Sequence, residues 1–224
     1  GEDFPGGGIS GEIDGEGGGS ISDQAKNVIA RDKVLYHGHA LAAVAAISDR
    51  AADRALDAIK VEYEVLSPVL DILEAIDPVS VLVNENNYTK LPEKPDRPSN
   101  IANVGNLIRG DIQEGFGRAD VVIEREYVCP MTHQGYIEPH SCLASVDEEG
   151  KGTVWCSTQG HFEFRNQTAS ILKKNIADLK FVAKEIGGGF GGKTVVYLEP
   201  LAVMLSENCL LYTSPSPRDA LTAR

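Results

Sequence analysis

The sequence predicts an α+β protein in two pieces. A strand–helix–strand pattern fills residues 40–65, a proline-rich break follows at 91–99, and strands, a helix and a glycine loop then run from 120 to 207. Residues 1–20 hold nine glycines and read as a flexible surface loop, so regular structure is expected from about Lys33. Ala40–Ile47 is an apolar run of buried-strand length. Ser48 can cap a helix in which Ala51, Ala52, Ala55, Leu56 and Ile59 recur at helical spacing. Lys60–Val65 alternates like a strand. The segment LPEKPDRPS, with three prolines, reads as an extended linker.

Beyond it, Asp120–Val128, Cys142–Val146 and Thr153–Cys156 are strand-like, with Glu148–Gly150 as the turn of a hairpin formed by the last two. Phe162–Leu172 suits a helix, Lys180–Ile186 a strand, and Val195–Glu207 a helix after the glycine loop. Cys142, Cys156 and the single tryptophan, Trp155, read as core. Cys209–Asp219 (CLLYTSPSPRD) matches eleven residues of the translation of a sequencing-library adapter, so residues 209–224 are expected to be an artefact. The chain also lacks an initiator Met and is expected to be a fragment.

Charge narrows the function. The 224 residues carry 33 acids and 21 bases, net −12. Such a chain makes a poor ligand for nucleic acid or an anionic membrane, both of which need clustered Lys and Arg. The acidity is uneven: residues 1–80 are net −9, residues 81–160 net −5, and residues 161–224 net +2. Only the last stretch offers an anion no repelling background. The four cysteines show no CxxC spacing, no apolar run reaches membrane length, and the first residues are the opposite of a signal peptide. Together these predict a reducing, cytoplasmic protein.

The strongest chemical feature is Gly187–Thr194, GGGFGGKT. Glycines let backbone N–H groups converge on an anion, a following helix N-terminus adds partial positive charge, and Lys193 could add a full one. The pattern fits a phosphate loop of a nucleotide hydrolase, and a plain glycine turn without ligand is the simpler alternative.

Several segments together resemble the large, molybdenum-binding subunit of the xanthine dehydrogenase/aldehyde oxidase family of molybdenum hydroxylases. Residues 32–77 resemble its a/b hammerhead domain. Gly110-Asp111, Phe116, Ala119-Asp120 and Glu138-Pro139-His140 resemble the opening of its molybdopterin-binding domain. Ser157-Thr158-Gln159 and Ile186–Lys193 resemble two cofactor-contacting segments. The resemblance implies a hammerhead domain over 1–80, a linker over 81–108, and the first part of the molybdopterin-binding domain over 109–208. It implies a hydroxylase that oxidises an aldehyde or N-heterocycle, takes oxygen from water and passes electrons to iron–sulfur and flavin partners. The expected cofactors are molybdopterin, in its plain or cytosine-dinucleotide form, with [2Fe-2S] and FAD on partner subunits or domains in a dimer of heteromers.

Carried over, Gln159 and Phe190 lie near molybdenum oxygens, and the amides of Gly188, Gly189, Phe190, Gly191 and Gly192 meet the cofactor. No catalytic residue falls within the chain, because the family's glutamate base lies beyond its C-terminus, so the fragment alone is expected to be inactive. Purine-oxidising members place a substrate-orienting glutamate directly after the loop lysine. Here that residue is Thr194, which turns the expectation from purines toward aldehydes, other N-heterocycles or carbon monoxide. A molybdenum-free, non-catalytic homologue is the remaining alternative.

Other candidates are weaker. His37 and His39, or His133 and His140 around Glu138, could suggest a metal site, although hydrogen-bonding loop residues explain them as well. Glu138 and Asp147 could be paired acids, but nothing in the sequence places them together.

Overall fold

The computed structural model describes residues 4–5, 12–13 and 19–209. Its elements, in chain order, are β1 (Glu12–Ile13), β2 (Gly19–Ser20), α1 (Ile21–Val28), α2 (Asp49–Ala58), α3 (Ile72–Ile76), α4 (Ile112–Arg118), β3 (Cys142–Val146), β4 (Gly152–Cys156), α5 (His161–Leu172), a 3-10 turn (Ile176–Asp178), β5 (Leu179–Ala183) and α6 (Glu199–Cys209). The described residues form two units: those up to Lys60 together with those from Thr132 onward, and Val61–Met131. The expectations for most of the glycine-rich start and for residues 210–224 lie outside the described residues.

The first unit is built on a three-stranded sheet in the order β3-β4-β5. β3 and β4 form the expected hairpin, antiparallel with Cys142 opposite Cys156 and Val146 opposite Gly152. Its turn closes where Gly150 takes a φ of +80°, and the Asp147 carboxylate accepts the N–H groups of Glu149 and Lys151. β5 pairs with β4 in parallel. A parallel neighbour needs a crossover, and α5 supplies it.

Register puts Ala144, Val154 and Phe181 in one row, all buried, with Cys142 and Cys156 in the next. α6 packs on β3, α5 on β5, and α1 on α5. Phe164 and Ile171 of α5 are fully buried in this core, and each contributes roughly 1.5–3 kcal/mol by leaving water. Trp155 corrects the sequence reading. Strand alternation sets it opposite Leu143 on the other face, where it is only half-buried.

Helix ends follow the capping residues. Ser20, Ser48, Asp71 and Asp111 each accept a backbone N–H of the first turn of α1, α2, α3 and α4. Regular structure therefore begins before Lys33: Ser20 caps α1, and Ile21, Ala25 and Val28 bury one stripe of it. α6 starts at Glu199 rather than Val195. Pro200 suits a first turn because it has no N–H to bond there. Upstream, Gln167 ties down the chain by accepting the N–H of Val196 at 3.0 Å and donating to the Thr194 carbonyl at 3.5 Å. Gln24 donates to the Val196 carbonyl. β5 ends at Ala183, short of Ile186.

Three expected strands are absent from the described residues: Ala40–Ile47, Lys60–Val65 and Asp120–Val128. Their side-chain patterns are strand-like, but a strand also needs a neighbouring backbone, and no ladder reaches them among the described residues. The apolar side chains of the last two runs are correspondingly exposed, Val65 by 90%, while Ala40, Leu41 and Val44 of the first are half-buried.

In the second unit the proline-rich segment has no regular element, as its composition predicts, and is closed at its base. The Ser99 N–H donates to the Asn87 carbonyl, and the Asn87 amide donates to the carbonyls of Ser99 and Ile101. Asn100 donates to the carbonyls of Ala75 and Val81.

Candidate functional site

Three segments of the first unit meet beyond the C-terminal ends of the parallel pair β4 and β5, a common place for ligands at a parallel sheet. Ser157–Gln159 follow β4, the glycine loop 187–193 follows β5, and Tyr136–His140 lie against both.

Gln159 holds the loop from one side. Its Oε1 accepts the N–H of Gly191 and the N–H of Lys193, each at 3.1 Å. Two N–H donors require an oxygen, so this contact fixes the amide's orientation and leaves the NH2 end pointing away from them. That NH2 has no partner among the described residues. The Gln159 N–H donates in turn to the Lys193 carbonyl at 3.0 Å.

Glu138 holds the loop from the other side. Its Oε2 accepts the N–H of Gly187 at 2.7 Å and the Lys193 ammonium at 2.5 Å. Lys193 is 0% exposed, with Ser157 Oγ 3.5 Å from its Nζ and the Tyr136 ring centroid at 5.1 Å. A buried ammonium needs such a partner. The Lys193 hydrogen bond holds the Glu138 carboxyl below the usual carboxylate range.

Glycine is required at several loop positions. A Cβ at Gly189 would stand 2.5 Å from Gln159 Oε1, one at Gly187 2.6 Å from Glu138 Cβ, and one at Gly192 2.6 Å from Tyr136 Cε1. Phe190 takes a φ of +48°, uncommon for a bulky residue, and its ring folds over Gly188 while staying 73% exposed. Strain of this kind is found at ligand sites.

The loop's backbone donors divide cleanly. Gly187 donates to Glu138, Gly191 and Lys193 to Gln159, and Gly192 to the Gly189 carbonyl at 2.7 Å. The N–H groups of Gly188, Gly189 and Phe190 make no hydrogen bond among the described residues. Three successive open amides beside an outward NH2 form a donor set suited to an anionic, oxygen-bearing group.

This geometry overturns the nucleotide-hydrolase alternative. In a phosphate loop the lysine reaches the phosphates and a helix follows at once. Here Lys193 is spent on Glu138, the Thr194 hydroxyl donates to the Gly191 carbonyl at 3.1 Å, and the next helix starts at Glu199.

The histidines have local tasks. His140 Nε2 lies 2.9 Å from the Tyr136 hydroxyl, and burial, followed by the Lys193 charge, pushes His140 below its ordinary pKa. The His140 tautomer sets which of the two donates, and burial raises the pKa of Tyr136. His133 Nδ1 accepts the Gly135 N–H, and His39 bridges the Lys26 carbonyl and the Leu35 N–H. Among the described residues no three His, Cys, Asp or Glu side chains could hold a metal ion. Glu138 and Asp147 serve separate ends of the structure, the loop and the hairpin. The sequence missed the partnership of Glu138 with Lys193, since no local signal links residues 55 positions apart.

Comparison with known proteins identifies the family. The family profile described as "Molybdopterin cofactor-binding domain" matches residues 93–210, and "Aldehyde oxidase and xanthine dehydrogenase, a/b hammerhead domain" matches residues 10–67. A probable xanthine dehydrogenase subunit of Bacillus subtilis (strain 168) is 31% identical over 186 residues, covering 83% of this chain and 23% of that protein. The nicotinate dehydrogenase large molybdopterin subunit of Eubacterium barkeri is 32% identical over 162 residues, 72% of this chain and 35% of that protein. The chain thus spans between about a quarter and a third of these relatives. In fold, it matches a crystal structure of Cu,Mo-CO dehydrogenase with a TM-score of 0.72 at 23% identity, over 95% of this chain and 27% of that one. Quinoline 2-oxidoreductase from Pseudomonas putida 86 gives 0.72 at 19%, over 98% and 26%.

Proposed function

The chain belongs to the molybdopterin-binding large subunits of the aldehyde oxidase and xanthine dehydrogenase family, and from that premise we propose that it works in a molybdenum hydroxylase whose cofactor sits on the loop 187–193. The observation that carries this reading is the donor set: the open amides of Gly188, Gly189 and Phe190 beside the outward NH2 of Gln159. Donors fixed in advance stabilise negative oxygen at little reorganisation cost.

The residues fit the group. The cradle around Gly187, Gly189 and Gly192 admits no Cβ without displacing Glu138, Gln159 or Tyr136, so these glycines let the loop pack tightly on the side chains that hold it. Gly188, Gly189, Phe190 and Gln159 would hold it as donors. Gly191 and Gly192 shape the loop, because their own N–H groups are spent on Gln159 and the Gly189 carbonyl.

When bound, the molybdenum–pterin group supplies the two-electron oxidation and the transfer of oxygen from water. The chain's own part is positional. Gln159 offers a donor whose direction two backbone bonds determine, and the Phe190 ring lies beside Gly188. Lys193 gives the site no net positive charge, being neutralised by Glu138.

Thr194 supports substrates other than purines. It has no carboxylate, and its hydroxyl is already donated to Gly191. The proposed substrate is an aldehyde or an N-heterocycle, with electrons leaving to iron–sulfur and flavin partners in a dimer of heteromers in the cytoplasm. No helix of the described residues is long and apolar enough to cross a membrane.

The test is metal and pterin analysis of the full-length subunit expressed with its partners. One molybdenum and one pterin per subunit, with 18O from labelled water entering an aldehyde or N-heterocycle, is the expected result. A fully folded complex devoid of both would mark a non-catalytic homologue and overturn the proposal.

A further inference from the structure

We infer that Glu138 is a positioning residue that clasps the two ends of the glycine loop and thereby aims the NH2 of Gln159. This inference rests on the reading that the loop holds the molybdenum–pterin group.

A single oxygen does the clasping. Glu138 Oε2 takes the N–H of Gly187, the first residue of the loop, and the ammonium of Lys193, the last. The loop is thus closed through a carboxylate on a separate segment. The Glu138 N–H adds a third, longer link to the Gly187 carbonyl at 3.4 Å. The fit is tight, since a Cβ on Gly187 would lie 2.6 Å from Glu138 Cβ.

The consequence passes through Lys193. Its buried side chain is anchored by Glu138, while its backbone N–H and C=O both bond Gln159. Gln159 has no other hydrogen-bond partner than this lysine and Gly191 among the described residues. Removing the carboxylate leaves an uncompensated buried ammonium, which must move toward water or lose its proton. Movement of Lys193 shifts its backbone and turns Gln159, and in either case the Gly187 N–H loses its acceptor and the loop its closure. Glu138 therefore acts through the loop.

The experiment compares wild type, Glu138→Gln and Glu138→Ala in the full-length holoenzyme by two independent readouts. One is hydrogen exchange of the peptide containing residues 187–193, which needs no cofactor. The other is the Mo(V) electron paramagnetic resonance spectrum together with kcat and KM. Exchange of this peptide is expected to quicken at least 10-fold in Glu138→Ala and less in Glu138→Gln, which keeps an acceptor oxygen. The molybdenum-loaded variants are expected to show altered Mo(V) g-values and a 10- to 100-fold lower kcat with KM nearly unchanged.

Wild-type exchange and a wild-type Mo(V) spectrum in both variants would overturn the inference. So would a drop confined to molybdenum content, with unaltered exchange and an unaltered spectrum of the loaded fraction, because that is what a merely structural residue gives. If Glu138→Ala does not fold, Glu138→Gln decides by the same readouts. A wild type that carries no molybdenum refutes the hydroxylase reading instead, and exchange still decides whether Glu138 clasps the loop.

Discussion

Gln159 and Lys193 are joined by two reciprocal hydrogen bonds: the Gln159 N–H donates to the Lys193 carbonyl at 3.0 Å, and the Lys193 N–H donates to the Gln159 side-chain oxygen at 3.1 Å. This pair couples the end of one parallel strand's loop to the end of the next. It also makes the direction of the Gln159 side chain a property of the backbone, which is how a site on loops acquires precision.

Glycine substitutions in the loop should separate into two kinds. Gly189→Ala places a methyl 2.5 Å from Gln159 Oε1 and must displace that side chain. Gly191→Ala meets nothing within 4 Å, and its cost is only the left-handed backbone at φ +86°, about 1–2 kcal/mol. The expected outcome is loss of most bound molybdenum in Gly189→Ala, and a modest fall in unfolding stability with molybdenum retained in Gly191→Ala. Equal molybdenum content in the two variants would contradict the cradle described above.

Glu199 makes stability depend on pH. Burial pushes its carboxyl up to about 7 from the ordinary 4.5. The folded protein therefore holds a proton that the unfolded chain has released, and stability falls as pH rises from about 4.5 to about 7. The shift corresponds to a difference on the order of 3 kcal/mol. Denaturant unfolding at pH 5 and pH 8 should show this decline in wild type and a flatter profile in Glu199→Gln. Parallel profiles would remove Glu199 as the cause.

Ser206 secures α6 to the sheet. Its Oγ accepts the buried N–H of Val146 at 3.0 Å, so Ser206→Ala leaves that donor unsatisfied at a cost of about 1–3 kcal/mol. Ser206→Thr keeps the acceptor and should lose less of the urea midpoint than Ser206→Ala. The reverse order would mean that packing, not the hydrogen bond, governs the site.

What the sequence made legible is what local chemistry determines. The β3–β4 hairpin, α5 and the Ser48 cap follow from alternation, helical spacing and a capping side chain, each contained within fifteen residues. The runs 40–47, 60–65 and 120–128, which join no ladder among the described residues, show the limit: their patterns specify which side chains share a face, while strand formation depends on a partner that no local pattern supplies. The late start of α6 has the same origin, because Gln24 and Gln167 hold residues 194–196 from other elements. In the site, the glycines and Gln159 stood out by composition and by family resemblance. The role of Lys193 did not, because its charge is cancelled by a residue 55 positions away.

In the proposed holoenzyme Gln159 presents its NH2, and residues 188–190 their unpaired N–H groups, to an anionic molybdenum–pterin group. Gln159→Glu tests it most directly. A carboxylate can still accept from Gly191 and Lys193, so the loop should keep its shape, but the outward donor becomes an acceptor carrying negative charge. In the full-length complex, unaltered hydrogen exchange across 187–193 is expected together with at least 10-fold less bound molybdenum or a shifted Mo(V) spectrum. Wild-type molybdenum content with a wild-type spectrum in Gln159→Glu would contradict it.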